Sequence, residues 1–372
     1  MRSSFVIVVL AFAPACRPPA AAPTTATPSV SSPQAVAASR FVDSIAAAQH
    51  LPGFAVTVME GDRVLWRHGV GDADVASATP ATPRTLFRIG SVSKLLTATL
   101  LMRLSQEGRI ELDAPVGRYV DVPRPLADVT LRQLAGHLGG VRHYRGAEFF
   151  STRHYNSLAD AIAVFARDSL VALPGTRYSY SSYGFNLIGA AIERRLGVPF
   201  PVVMREQVLQ PLGRESIVPD VADAKPVARA TLYAVSNGTS APAPEDDLSG
   251  RWPSGGYLAS TDDLARFGQA VLAPGLLDAR SLREMLTPQR LASGAATTVG
   301  IGWRIGSDSV AGPFYHHGGS SNGGSAFLLV FPRQRLVVAM ASNAFGQWSD
   351  REAMTLARMF LPREGSARGQ TP

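Results

Sequence analysis

Segments with the character of β-strands lie at both ends of this chain, and a long, mainly helical stretch separates them. Runs rich in apolar and β-branched residues at 54–60 and 63–70 are joined by Gly61-Asp62, a pair typical of a tight hairpin. Strand character returns at residues 300–305, 325–331 and 336–341. Apolar periodicity predicts helices at residues 36–50, 91–107, 130–138, 158–168, 183–196, 261–273 and 349–361.

This order of elements predicts an α+β fold. Strands from the N- and C-terminal parts of the chain would form one antiparallel sheet with flanking helices, and the helical stretch would be a large inserted subdomain. We place a single domain at residues 36–362, with its sheet part at about 36–88 and 296–362 and its helical part at about 89–295. A cleft is expected where the two parts meet, because ligand sites favour such junctions.

The composition is that of an ordinary globular protein, with 46% hydrophobic and 17% charged residues. The formal net charge is +7, but the basic residues are scattered along the chain and form no extended run. A nucleic-acid surface normally requires clustered Lys and Arg. We therefore expect no nucleic-acid partner.

The N-terminus has the pattern of an export signal. Arg2 precedes an apolar stretch at residues 5–13 that is too short to span a membrane. Cys16, the only cysteine, follows, and its position resembles the lipid-attachment site of bacterial lipoproteins. Cleavage at an Ala-x-Ala site without a lipid stays open as the alternative.

We accordingly predict an exported protein of the periplasm or cell envelope, with the signal at residues 1–16. A Pro-, Ala-, Thr- and Ser-rich tether would cover residues 17–35, and residues 363–372 would form a flexible tail. Contact with the membrane would occur only through the lipid on Cys16.

The chain contains only two lysines, and Lys94 is placed three residues after Ser91. Residues at i and i+3 share one face of a helix, so Lys94 can reach the Ser91 hydroxyl. The sequence that follows is apolar on nearly all sides, which predicts a buried helix ending at Gly108. Lys can lose its proton when it is desolvated, whereas Arg cannot. This pattern predicts a serine nucleophile with an amine base.

Two other interpretations of the sequence are weaker. The segment Gly319-Ser320-Ser321-Asn322-Gly323 matches G-x-S-x-G, but a nucleophile elbow needs a helix after the serine and the sequence here predicts a strand. The seven histidines are dispersed without ligand spacing, so we predict no metal site and no cofactor. Packing is the expected role of His137.

Several further segments resemble the serine β-lactamase-related family, which includes class C β-lactamases, D-alanyl-D-alanine peptidases and related esterases. The similarity covers residues 37–361. The His143-Tyr144 pair and the Tyr180-Ser181-Ser182 form are most similar to the mitochondrial β-lactamase-like serine peptidase branch. The remaining segments that resemble the family are 130–134, 137–142, 174–175, 255–258 and 317–320.

The resemblance implies a β-lactamase or penicillin-binding-protein transpeptidase-like fold and a set of site residues. Tyr180 joins Ser91 and Lys94 as a catalytic residue, either as a phenolate base or as a proton relay, and the choice of first base stays open. The backbone N–H groups of Ser91 and Ser320 would hold the oxyanion.

The other implied residues bind substrate. His317 supplies a polar or positive group, and Gly319 lets the edge strand approach the substrate. Ser182 occupies a position where the family usually has Asn, which offers both a donor and an acceptor on a longer arm. This departure weakens the case for efficient antibiotic hydrolysis.

We therefore predict a serine hydrolase that forms an acyl-enzyme on Ser91. Its partners would be small peptide-like or ester substrates, D-amino-acid, peptidoglycan-derived or β-lactam compounds among them. Two alternatives stay open: a carboxylesterase without lactam activity, and a non-catalytic protein that binds cell-wall peptides. The sequence does not determine the oligomeric state.

Overall fold

The computed structural model describes residues 32–361, except residues 215, 224, 225, 347 and 349. The predicted signal, Cys16 and the predicted tail lie outside the described residues. The predicted tether overlaps the first helix, because Ser32 caps that helix and Pro33 opens it.

The described residues form twelve strands and ten α-helices. The strands are β1 (Gly53–Glu60), β2 (Arg63–Asp74), β3 (Thr79–Pro80), β4 (Phe87–Arg88), β5 (Val218–Pro219), β6 (Tyr233–Ser236), β7 (Thr239–Pro242), β8 (Tyr257–Ala259), β9 (Arg304–Asp308), β10 (Gly312–Ser321), β11 (Gly324–Phe331) and β12 (Leu336–Ser342). The helices are α1 (Pro33–Ala48), α2 (Ser93–Gln106), α3 (Leu131–Ala135), α4 (Leu158–Ile162), α5 (Ser182–Leu196), α6 (Phe200–Met204), α7 (Trp252–Gly255), α8 (Thr261–Leu272), α9 (Ala279–Met285) and α10 (Asp350–Phe360).

Seven strands form the main sheet, in the order β3-β2-β1-β12-β11-β10-β9, and all their pairings are antiparallel. The two ends of the chain meet where β1 pairs with β12, so neither part can complete the sheet alone. This topology confirms the predicted α+β fold class.

Both faces of the sheet are buried, and the two-residue period of the strands divides their side chains between two cores. In β12, Val338 and Met340 belong to the core under α1 and α10. Val337 and Ala339 belong to the larger core shared with α2, α5 and α8. The helical part is therefore anchored to one face of the sheet.

The cleft lies where the helical part meets β10. Helix α2 is buried on almost every side, as its apolar sequence predicts. Strand β9 pairs with β10 only as far as His316, so in the described part of the chain the outer edge of the second half of β10 is left for the turn that carries Ser91.

Several elements differ from the predicted ones, and the helix predicted at residues 158–168 ends as α4 at Ile162. Three other differences have an identifiable structural cause. The strand predicted at residues 300–305 is β9, which begins later, because Gly302 has a φ of +78° and packs against α2. Helix α3 ends before residue 138, because His137 adopts a φ of +57°. Strand β10 was absent from the predicted strand runs, since its glycines and histidines do not alternate in polarity.

Candidate active site

Ser91 lies in a single 3₁₀ turn, Gly90–Val92, which leads directly into helix α2. The Nζ atom of Lys94 is 3.0 Å from Ser91 Oγ. The hydroxyl of Tyr180, just before α5, donates to the same oxygen over 2.8 Å. The structure thus brings the three residues predicted to be catalytic to one oxygen atom, although 86 residues separate Lys94 from Tyr180 along the chain.

Lys94 is fully buried at the base of the cleft. Its Nζ atom also lies 3.0 Å from Ser182 Oγ and 2.7 Å from the backbone carbonyl oxygen of Ser254. Burial lowers the pKa of Lys94 to about 7. A neutral amine keeps one lone pair, so Lys94 can donate to Ser182 and Ser254 and still accept the proton of Ser91.

Tyr180 is half-buried, and the centroid of its ring lies 4.5 Å from that of the His137 ring. Burial raises the pKa of Tyr180 above its usual value, and the hydrogen bond to Ser91 and the charge of Arg304 act in the opposite direction. This upward direction disfavours the phenolate form, which is one of the two roles that the resemblance implies for Tyr180. The two pKa shifts favour a neutral phenol at Tyr180 and a neutral amine at Lys94.

Two neutral histidines hold the start of α5 beside Tyr180. His137 Nδ1 accepts the backbone N–H of Ser181 at 3.2 Å, and His143 Nδ1 accepts that of Ser182 at 3.3 Å. Burial is the main cause that keeps the pKa of His137 well below its usual value. His143 is partly exposed, and partial desolvation followed by the charge of Lys94 lowers its pKa to about 4. His137 packs against Tyr180 and Phe185, and in the described structure this is a packing environment.

Strand β10 forms the opposite wall and touches the turn that carries the nucleophile. A Cβ on Gly319 would overlap the carbonyl oxygen of Ile89 and lie 2.9 Å from the Ser91 backbone nitrogen. A Cβ on Gly90, whose φ is +48°, would lie 2.6 Å from the Ser320 backbone nitrogen. Glycine at both positions allows this approach, which brings together the two backbone groups that the resemblance assigns to the oxyanion.

His317 is 2% exposed, and its Nδ1–H donates to the Gly318 carbonyl oxygen at 2.6 Å. Burial holds the pKa of His317 well below its ordinary value. The positive form considered for this residue is therefore wrong, and the ring beside Tyr180 is polar but neutral. His316, which had no predicted role, stacks on Phe327 and also lines the cleft.

Ser321 does not have the surroundings of an α/β-hydrolase nucleophile. It ends β10, and a tight turn leads from it into β11 rather than into a helix. The G-x-S-x-G match is thus a β-hairpin, in agreement with the sequence interpretation.

The walls enclose an open cavity of about 430 Å³. Five of the seven predicted site residues line it, while Lys94 and Gly319 lie behind its surface. Arg304 lines it as well, with its guanidinium carbon 5.7 Å from the centroid of the Tyr180 ring. Within the described residues, Arg304 has no ion-pair partner, so its charge is available to a bound molecule.

A buried ion cluster lies beside the cavity and includes Arg88, Asp220, Arg229, Asp246 and Arg251, the last of which also lines the cavity. Arg88 donates to Asp220 at 2.6 Å and also to Asp246. Asp246 in turn accepts from Arg251 at 2.5 Å. The cluster therefore joins the strand before Ser91 to the loop before α7.

This loop positions the base. The Arg251 carbonyl accepts the backbone N–H of Ser254 at 3.0 Å, and the Ser254 carbonyl accepts from Lys94. The Ser254 hydroxyl lies 3.1 Å from that of Tyr144. Through these bonds, the buried ion cluster helps to fix the carbonyl oxygen that orients the Lys94 amine.

Known proteins share this arrangement of the chain. The model of the Beta-lactamase family matches residues 38–360. This chain belongs to that family. Its fold and its general activity as a serine hydrolase agree with the predictions and are thereby confirmed.

Individual members of the Beta-lactamase family are distant relatives. Serine beta-lactamase-like protein LACTB, mitochondrial, from Homo sapiens is 24% identical, with 79% of this chain and 71% of the relative covered. Esterase EstB from Burkholderia gladioli is 29% identical, with coverage of 71% and 76%. The octameric penicillin-binding protein homologue from Pyrococcus abyssi has a TM-score of 0.77 at 25% identity, with coverage of 87% and 77%.

Three residues of the site in this Beta-lactamase family member were not assigned a role from the sequence. Ser254 acts through its backbone, which no side-chain pattern reveals, although it directly precedes the recognised glycine turn. Arg304 comes from β9, which has no short motif around it. Tyr144 was noted for its resemblance alone, without a role.

The structure gives no indication of a metal centre or a membrane span within its described residues. No group of three or more His, Cys, Asp or Glu side chains in that part of the chain is arranged to hold a metal ion. None of the helices described there is long and apolar enough to cross a bilayer.

Proposed function

We propose that this Beta-lactamase family member is an exported enzyme that forms an acyl-enzyme on Ser91. Its substrates are small peptide-like amides or esters whose leaving group carries a carboxylate. The observation that carries the proposal is the position of Ser91 Oγ, which lies within hydrogen-bonding distance of a buried amine with a pKa of about 7 and of a phenol.

In this reaction Ser91 Oγ attacks the substrate carbonyl carbon, and Lys94 accepts the Ser91 proton. The backbone N–H groups of Ser91 and Ser320 bind the oxyanion. Tyr180 gives its proton to the leaving amine or alcohol. Ser182, whose hydroxyl contacts Lys94 and acts on the pKa of Tyr180, carries the proton back to Tyr180. Water then attacks the ester, and the same groups return Ser91 to its free form.

Arg304 supports the choice of substrate. Its guanidinium lies over the ring of Tyr180, the residue that protonates the leaving group. A carboxylate on that leaving group would form a charge-assisted pair with Arg304. The esterase and penicillin-binding-protein relatives are consistent with both ester and amide substrates for this site.

The proposal is tested with p-nitrophenyl acetate turnover and with intact-mass detection of a fluorescent penicillin adduct. Ser91→Ala is expected to abolish both, whereas the matched control Ser321→Ala keeps the adduct on Ser91. An adduct that survives in Ser91→Ala would exclude the nucleophile proposed here. A folded wild-type protein without ester turnover would favour the non-catalytic binding protein.

Export rests on the sequence of residues 1–16 alone. We expect full-length protein to fractionate with membranes through a lipid on Cys16 and Cys16→Ser to be released from them. If both proteins stay in the cytoplasm, the export proposal is wrong, and the chemistry at Ser91 is unaffected.

A further inference from the structure

Ser182, which the resemblance assigns to substrate binding, already makes a contact within the protein. Ser182 has a short side chain with a single hydroxyl, and that hydroxyl lies 3.0 Å from Lys94 Nζ. It is therefore part of the proton relay, although it was predicted to bind substrate. A donor for the substrate on this wall must come from another residue.

His143 has the required position. It lies in the loop after α3, lines the cavity and is one of the more exposed residues around it. Its ring stands edge-on to Tyr180, with centroids 5.3 Å apart and planes at 87°, and packs against Tyr144 at 4.8 Å. Contacts on two sides fix the ring beside the catalytic residues.

The hydrogen bond from the Ser182 backbone fixes the tautomer of His143. Because Nδ1 accepts this N–H, the proton of the neutral ring must be on Nε2. Protonation of Nδ1 would break this bond and place a cation at the N-terminus of α5, which is unfavourable. The Nε2 atom is on the side of the ring opposite this bond, so the neutral ring of this cavity-lining residue carries its donor away from the start of α5.

We propose that the Nε2–H group of His143 binds the carbonyl oxygen of an amide on the acyl side of the substrate. The aromatic rings of Tyr144 and Phe149, which also line the cavity, pack against the substituent of that amide. The substrate class is thus an N-acylated amino acid or peptide, rather than a simple alkanoyl ester. This inference rests on the proposed acyl-enzyme at Ser91.

The test compares two esters with acyl chains of equal length, N-acetylglycine p-nitrophenyl ester and p-nitrophenyl pentanoate. The quantity measured is the ratio of their kcat/KM values. His143→Asn keeps an acceptor near the Nδ1 position but has no donor near the Nε2 position. The ratio is expected to fall about tenfold, which corresponds to the contribution of one hydrogen bond. His143→Gln restores a donor near the Nε2 position and is expected to recover most of the ratio.

The outcomes separate binding from support. If His143→Asn lowers both kcat/KM values equally, the residue only holds α5, and the inference is overturned. An unchanged ratio in His143→Asn would overturn it as well. A wild-type protein that hydrolyses neither ester would instead defeat the proposed acyl-enzyme, and the inference would fall with it.

Discussion

Two buried polar regions flank Ser91, and they manage charge in opposite ways. The proton-transfer region, formed by Lys94, Tyr180, Ser182 and the neighbouring histidines, contains groups whose pKa shifts favour their neutral forms. The buried ion cluster around Arg88 and Asp246 contains paired full charges instead.

The difference shows what each region is built to do. An amine surrounded by neutral groups and deprived of water holds its proton weakly, so it can act as a base. Paired ions in a dry site are held in fixed directions, because losing one partner leaves a buried charge uncompensated. The reactivity of Ser91 thus depends on the proton-transfer region, and the geometry around Ser91 depends on the buried ion cluster.

Replacing the amine with a permanent cation should give the largest effect. Lys94→Arg places a permanent cation at this position and removes the base, because guanidinium does not deprotonate in proteins. We expect kcat/KM for a p-nitrophenyl ester to fall by about 10²–10⁴-fold, the usual contribution of a positioned base. Thermal unfolding must be measured alongside, and a folded variant with wild-type rates would remove Lys94 from the mechanism.

Removing one ion from the charged region should reduce stability. Asp246→Asn leaves Arg88 and Arg251 short of a buried counter-charge, and we expect the free energy of unfolding in urea to fall by about 3 kcal/mol. Glu60→Gln is the matched control, because its pair with Arg63 is exposed and should contribute less than about 1 kcal/mol. Equal losses in the two variants would show that the buried ion cluster has no special role.

The pH dependence of activity should follow Lys94. Since the base must be neutral, kcat/KM is expected to be half-maximal near pH 7, to level off about one pH unit above it and to fall about tenfold per pH unit well below it. The charge of Arg304 lowers the pKa of Lys94, so Arg304→Gln should move the midpoint upwards, most clearly at low salt. The assay should use an ester without a carboxylate, because the binding of such an ester does not depend on Arg304. A midpoint that does not move in Arg304→Gln would contradict the coupling between Arg304 and Lys94.

The free energy of unfolding should decrease gradually as the pH is lowered. The pKa values of His137, His143, His316 and His317 lie below the ordinary value, so the unfolded chain binds protons that the folded chain does not. The free energy of unfolding should therefore be insensitive to these rings above about pH 6.5 and decrease as the pH falls below it. Urea midpoints at pH 7.5, 6.5 and 5.5 measure this, and a midpoint that rises towards pH 5.5 would refute it.

The sequence predicted those parts of the molecule that depend on local spacing. Ser91 and Lys94 share a helix face, and the strand runs at both chain ends predicted most of the main sheet, although not β10. Tyr180 required the family resemblance, since nothing near it in sequence refers to Ser91. The protonation states of Tyr180 and His317 were out of reach, because they depend on burial by residues far away along the chain.

The site residues contributed by other elements were hidden for a similar reason. The Ser254 carbonyl reaches Lys94 only because α7 packs against α2. Arg304 faces Tyr180 because β9 pairs with β10 at one particular register. Such contacts are products of the tertiary fold and leave no pattern in either segment.

The burial of the Lys94 amine also reduces the stability of the folded protein. At neutral pH the unfolded chain keeps the ammonium form that water favours, so folding must expel a proton from Lys94 and loses hydration in doing so. An apolar side chain of similar shape would avoid this loss of stability. A Lys94→Met protein should therefore be inactive as a hydrolase but unfold at a higher temperature. Stability alone would not favour a lysine at this position, and a chain with only one other lysine has it where turnover needs a base.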